Sequence, residues 1–213
     1  MSIILKVDLE YPEKAILAKA AETIRSGGII VYPTETLYGI GVDARNAAAI
    51  LKVYELKKRK DPKPLLVIVH SRSSLEELVK GVSESANLLI EKFWPGPLTM
   101  VFEASSSVLD ELTQGTGKIG VRIPSSMLCL ELLREYGSPI TSTSANVSGE
   151  VAPLTIGEIE KTLHSGVDLY LDGGKLSVSE PSTVIDVSSS IPRVLREGAI
   201  PIKRIQQLIP NIQ

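Results

Sequence analysis

The feature that most restricts this chain is the alternation of short unbroken apolar runs with segments of helical period. Ile29-Ile30-Val31-Tyr32 is one such run, stopped by Pro33, and residues 65–69 form another. An uninterrupted apolar stretch this short suits a strand covered on both faces by other layers. Around these runs, apolar residues recur at helical spacing. Leu17, Ala20, Ala21 and Ile24 do so within 12–26, where Pro12 opens the segment and Gly27-Gly28 ends it. Ile50, Val53 and Tyr54 do so within 46–57. Further strands are predicted at 3–7, 98–102, 119–123, 139–141, 167–171, 183–187 and 193–195. Further helices are predicted at 73–79, 85–93, 125–136 (closed by Gly137), 155–163 and 202–208. Helix and strand alternating throughout predict an α/β fold with a mixed sheet, in a single domain spanning 1–213. No internal repeat, low-complexity tract or linker-like stretch interrupts it.

A chain of 213 residues can bury a sizeable core, and with only 4% aromatic residues that core must be largely aliphatic. The formal net charge of −2 argues against a broad basic surface for nucleic acid, since proteins that grip it widely are usually basic. Contact with tRNA or double-stranded RNA must then be weak or confined to a local patch. The single cysteine, Cys129, lies in the apolar run Met127-Leu128-Cys129-Leu130 and reads as a small buried hydrophobe, not a nucleophile. The N-terminus lacks a signal-peptide pattern, and no apolar stretch approaches the roughly 18 residues of a membrane span. The expected location is cytoplasmic, with no membrane partner.

Several catalytic devices are missing. Gly115-Thr116-Gly117-Lys118 lacks the spacing of a Walker A loop, and there is no Cys/His cluster at zinc spacing and no serine-hydrolase elbow. His70 and His164 lie far apart in sequence and read as surface residues at element ends. An enzyme built from this inventory would work by positioning reactants and stabilising charge.

Four segments are dense in polar and turn residues after apolar runs. Tyr32-Pro33-Thr34-Glu35-Thr36-Leu37-Tyr38-Gly39 follows a buried strand. It is either a ligand loop at a strand end or a strand-to-helix turn capped by threonines. The run from Lys57 to Lys63 holds five cations in seven residues. Such a run attracts polyphosphate, or is simply a solvated helix end whose cations offset the dipole. The segment 139–149, with five hydroxyls and one amide after a short apolar strand, is either a Ser/Thr-rich turn or a loop offering neutral donors to phosphate or ribose, and the number of hydroxyls favours the second. Arg122, inside Gly120-Val121-Arg122-Ile123-Pro124, needs an anionic partner if buried: a ligand carboxylate or phosphate, or an internal Asp or Glu.

Taken together, these strings resemble the YrdC-like family of threonylcarbamoyl-AMP synthases. Seven strings occur in the family's order. They are Tyr-Pro-Thr-Glu-Thr-Leu-Tyr-Gly at 32–39, Lys-x-Arg at 57–59 with Pro64-Leu65, and Phe-Trp-Pro-Gly-Pro-Leu-Thr at 93–99. Gly-Val-Arg-Ile-Pro at 120–124, Ser-Ala-Asn-Val-Ser-Gly at 144–149, Pro-Ser-Thr-Val-Ile-Asp at 181–186 and Arg-Glu-Gly at 196–198 complete the set. The resemblance implies a twisted mixed parallel/antiparallel sheet flanked by helices around an open basic cleft, in the family's single-domain form. It implies a nucleotidyltransferase that makes threonylcarbamoyl-AMP and pyrophosphate from L-threonine, bicarbonate and ATP. A downstream threonylcarbamoyl transferase complex then modifies tRNA next to the anticodon. Mg²⁺ arrives with ATP, and no metal is tightly held by the protein.

By the same resemblance Lys57, Arg59, Lys118, Ser144, Asn146 and Arg196 face ATP, with Lys57 and Arg59 the catalytic pair. Thr34, Arg122, Ser142 and Ser182 face threonine, with Arg122 on its carboxylate. If Lys57 and Arg59 are to converge, the helix must end near residue 58, and Lys58 must make a turn that relatives make with glycine. The family often places a histidine where this chain has Ile68; His70, on the same strand face, is the candidate substitute. The alternative reading is an RNA-binding module without catalysis, supported by the basic run and opposed by the net charge. A related carbamoyltransferase of metallo-enzyme maturation is opposed by the lack of zinc-finger cysteines.

Overall fold

In the computed structural model the described residues are 2–58, 63–163, 166–177 and 180–213. The chain runs β1 (Ile3–Lys6), α1 (Lys14–Arg25), β2 (Ile30–Pro33), β3 (Tyr38–Gly41), α2 (Ala47–Leu56), β4 (Leu66–Ile68), α3 (Arg72–Glu76), α4 (Glu84–Phe93), β5 (Leu98–Glu103) and α5 (Asp110–Thr113). It continues through β6 (Lys118–Arg122), α6 (Met127–Tyr136), β7 (Ile140–Thr141), β8 (Thr143–Ser144), α7 (Ile156–Leu163), β9 (Leu169–Asp172), β10 (Thr183–Asp186), β11 (Arg193–Arg196) and α8 (Ile202–Gln206).

The strands form two mixed sheets where the sequence pointed to one. Five strands run in the order β1-β9-β2-β3-β8, and six in the order β11-β10-β5-β6-β4-β7. Each combines parallel pairs, such as β2 with β9 and β4 with β6, with antiparallel ones, such as β2 with β3 and β5 with β6. The division is decided at one residue. β7 pairs with β4 in the six-stranded sheet, and β8, starting two residues after β7 ends, pairs with β3 in the five-stranded sheet. Ser142 is the link between them, and the two sheets meet there.

The helix ends follow local chemistry. Asn46 caps α2, its side chain accepting from the Ala49 amide, and Ser83 and Ser126 do the same for α4 and α6. Gly137 closes α6 in the left-handed region at φ 78°. Tyr38-Gly39-Ile40-Gly41 makes β3 rather than leading into a helix, so the 32–39 segment is a hairpin. Gly41 permits it: a Cβ there would lie 2.6 Å from the ring of Tyr32. The large core is aliphatic, with α2, α4 and α7 packed over strands of both sheets. A second cluster packs α1 and α6 on Ile30, Tyr32, Ile68, Leu169 and Leu171. Cys129 belongs to it, fully buried, and burial pushes its thiol up to about 12. Among the described residues, no helix is long and apolar enough to cross a membrane.

Candidate active site

A cleft of about 490 Å³ opens along the junction of the sheets. One wall is β3 and β8, carrying Tyr38, Gly39, Thr143 and Ser144; the other is one face of the six-stranded sheet. Along that face the period of two is visible. Thr99 and Val101 on β5, Lys118, Gly120 and Arg122 on β6, and Val184 and Asp186 on β10 all line the cleft. The intervening Leu98, Met100, Phe102, Ile119, Val121 and Ile185 point into the core. Arg122 therefore belongs to the polar face of a strand whose other face is apolar.

Seven of the ten expected site residues line this cleft: Thr34, Lys118, Arg122, Ser142, Ser144, Ser182 and Arg196. Arg122 lies at its floor, 3% exposed. One guanidinium nitrogen donates to Thr36 Oγ1 at 3.2 Å, and another lies 3.6 Å from Glu35 Oε2, an ion pair too long for a hydrogen bond. Arg122 Nε and Glu35 Oε2 are both buried without a hydrogen-bond partner, while the other Glu35 oxygen accepts from the Ser125 amide at 3.2 Å. The internal-partner alternative is thus realised, though loosely. Arg196 lies close enough that burial, with the charge of Arg122, holds its guanidinium below its ordinary value. It donates twice to the Ser182 carbonyl, at 2.7 and 3.2 Å, and once to the Ser182 hydroxyl at 3.3 Å.

Other side chains are less available than the sequence suggested. Thr34 organises the hairpin turn, its hydroxyl donating to the Leu37 carbonyl at 2.7 Å and accepting from the Thr36 and Leu37 amides. Lys118 reaches across to Asp186 at 2.8 Å. Burial raises the Asp186 pKa, but hydrogen bonds from Lys118 and Ser188 outweigh it and hold the carboxyl below its ordinary value. The lining includes Lys63, Lys118, Arg122 and Arg196 against one carboxylate, Asp186.

Two expected ATP ligands do not face the cleft. Asn146, 7% exposed, is turned inward: its side-chain oxygen accepts from the Ser144 hydroxyl at 2.6 Å and its amide donates to the Glu150 carbonyl at 2.6 Å. Lys57, 1% exposed, sends its ammonium to the carbonyls of Ser144 and Asn146 and to Asn146 Oδ1. The reason is the helix face. Lys57 follows Ile50, Val53 and Tyr54 into the interior, where the 144–148 segment covers it. Arg59 lies outside the described residues, as does His164. The expected turn is present: α2 ends at Leu56, Lys57 caps it, and Lys58 takes φ 48°. His70 is a correction. β4 ends at Ile68, and His70, half-buried beside Ser74, is not among the cleft-lining residues. Ile68 itself is fully buried in the apolar cluster under α1 and α6.

Thr36, Thr99 and Thr116 on the cleft wall, and Glu35 beneath it, were not singled out as site residues, whereas Lys63, also on the wall, belongs to the basic run read as a polyphosphate attractor or a solvated helix end. Thr99 was legible in principle, as the polar position at period two in Leu98-Thr99-Met100. Its hydroxyl lies 2.9 Å from that of Ser182.

A model of the Sua5/YciO/YrdC family, described as telomere recombination, matches residues 22–198. The threonylcarbamoyl-AMP synthase of Pyrococcus abyssi is 35% identical over 213 residues, covering 100% of this chain and 62% of that protein. The threonylcarbamoyl-AMP synthase of Bacillus subtilis is 36% identical over 197 residues, covering 92% and 57%. The crystal structure of P. abyssi Sua5 complexed with L-threonine matches with a TM-score of 0.94 at 34% identity, covering 100% of this chain and 63% of that one. The chain spans about three-fifths of the length of these relatives.

Proposed function

The chain belongs to the Sua5/YciO/YrdC family, and from that premise we propose that it is an L-threonylcarbamoyladenylate synthase, a nucleotidyltransferase acting on L-threonine, bicarbonate and MgATP. The observation that carries this reading is the cleft floor. There Arg122 and Arg196 stand together among the hydroxyls of Ser142, Ser182 and Thr99. Two guanidinium groups against one buried carboxylate, Glu35, favour a bound anion. The threonine-bound relative supports L-threonine as a substrate; the buried guanidinium of Arg122 is the group we assign to its carboxylate.

The threonine amine takes up bicarbonate with loss of water and becomes a carbamate. A carbamate oxygen then attacks the α-phosphorus of ATP, and pyrophosphate leaves. The nucleophile is the substrate's own, so the protein needs no side-chain nucleophile. Its task is to hold two anions at the distance of reaction and to offset the charge that develops on phosphate oxygens. Arg122 holds the threonine carboxylate, and Arg196, beside it, faces the phosphates of ATP. Lys63, Lys118 and the polar rim at Thr143 and Ser144 lie on the remaining walls, where the triphosphate fits. Asp186 is tied to Lys118 and Ser188, so the Mg²⁺ is the one that ATP carries, with phosphate oxygens and waters as its ligands. The product would pass in the cytoplasm to a threonylcarbamoyl transferase complex acting on tRNA.

The test is incubation with threonine, bicarbonate and MgATP. Pyrophosphate release that needs all three, together with a labile threonylcarbamoyl adenylate, is expected. Release without threonine, or none, overturns the reading.

A further inference from the structure

Lys57 is a buried lysine whose head group is bound by the protein itself. Its ammonium donates to the main-chain oxygens of Ser144 and Asn146 and lies 3.3 Å from Asn146 Oδ1. Its own carbonyl accepts from the Ser148 amide at 3.2 Å. One residue at the end of α2 thus grips the 144–148 segment from both its side chain and its main chain. Ser144 from that segment lines the cleft, whereas Lys57 does not.

Taking a lysine ammonium out of water is costly unless oxygens replace its hydration shell. Here oxygens of Ser144 and Asn146 contribute to that replacement. The Asn146 side chain is fixed in turn by the Ser144 hydroxyl and the Glu150 carbonyl. The segment is also held by short β pairings with β3, Gly39 with Ser144 and Ile40 with Thr143, and by the Ala145 amide on the Tyr38 carbonyl.

We propose that Lys57 is a positioning residue, an internal cation that clamps the 144–148 segment onto the end of α2 and so sets the cleft wall at Ser144, rather than a ligand of the nucleotide. Its bearing on catalysis rests on the synthase reading above; its bearing on the segment does not. The geometry also makes the site selective for an ammonium. A guanidinium is planar and wider, and could not point its donors at three oxygens gathered around one nitrogen.

The experiment measures amide hydrogen exchange of the full chain without nucleotide, in the natural protein and in Lys57→Met and Lys57→Ala. Losing hydrogen bonds to a charged group is expected to speed exchange at Asn146 and Ser148 about tenfold or more. Pyrophosphate release should fall in the same variants. Added n-propylammonium, which has the length of the deleted stem, should restore protection and turnover to Lys57→Ala but not to Lys57→Met, whose side chain fills the space. Lys57→Arg should recover neither. Should Lys57→Ala fail to fold, Lys57→Met keeps the packing and carries the comparison. Unchanged protection in the ligand-free variants, with a raised KM for ATP, would overturn the proposal and make Lys57 a nucleotide contact. If the natural protein releases no pyrophosphate, the synthase reading fails, while the exchange result still decides the role of Lys57.

Discussion

The Arg122–Glu35 pair at the cleft floor lets stability be separated from function. The Arg122 side chain is 4% exposed and that of Glu35 16%. Truncating one member of a buried pair costs roughly 3–5 kcal/mol, because the other charge is left uncompensated. This pair is stretched to 3.6 Å, and Ser125 already serves the second carboxylate oxygen. The loss for Arg122→Met should therefore lie at or below the low end, about 2–3 kcal/mol. In a chain of this length each kcal/mol moves Tm by about 2–4 °C, so a drop of about 4–12 °C is expected. Glu35→Gln should cost a similar amount, leaving the Arg122 charge with only a neutral contact, its hydrogen bond to Thr36, recorded beside it. The double variant Arg122→Met, Glu35→Gln buries no unpaired charge and should fall within about 1 kcal/mol of the natural protein. Melts followed by circular dichroism measure the cycle, and a pyrophosphate assay across threonine concentrations measures function. Both Arg122 variants should lose turnover, including the stable double one, and Arg122→Lys should recover little because the fork is lost. Additivity within about 0.5 kcal/mol would refute the pair as a unit. Normal turnover in the double variant would refute Arg122 as the carboxylate anchor.

Three further outcomes follow from single contacts, and one from the proposed chemistry. Lys58→Gly relieves a left-handed residue at φ 48° and should stabilise by about 0.5–1 kcal/mol after the unfolded-state entropy of glycine is counted, read as a higher urea midpoint. Gly41→Ala would place a methyl 2.6 Å from the Tyr32 ring and 2.9 Å from Ile140; a loss of about 1–3 kcal/mol in chemical denaturation is expected. Asp186 is held below its ordinary pKa, so its contribution is present above the carboxyl's unfolded value and is lost as pH falls through the folded one. A Tm profile from pH 6 to about pH 2 should therefore be flatter on its acid side in Asp186→Asn. Serine in place of threonine should lower kcat/KM by about 10- to 200-fold, the range for one methyl, and equal rates would count against the assigned pocket.

What the sequence determined was what is local or periodic. Apolar runs and helical spacing placed most strands and helices, because burying a face imposes the period of the element on the chain. The turn at Lys58 was expected from the family resemblance, as the condition for Lys57 and Arg59 to converge, and α2 does end at Leu56. The ordered strings singled out seven of the residues that line the cleft. Only the tertiary structure decided which way those residues look. Whether Ser142 joins one sheet or links two depends on the partners of β7 and β8, which are distant in sequence. The hairpin at β3 was hidden because the 32–39 segment read as a ligand loop or a strand-to-helix turn, and only the Tyr32 ring shows why a strand needs a glycine at 41. Lys57 and Asn146 were read as ligands because a cation and an amide in a polar string suit phosphate equally well. In the folded chain the Lys57 ammonium meets the carbonyl and the side-chain oxygen of Asn146, across 89 positions of sequence. A side chain's chemistry is written in its own residue; whether that chemistry meets a substrate or another part of the chain depends on contacts formed only when distant segments pack.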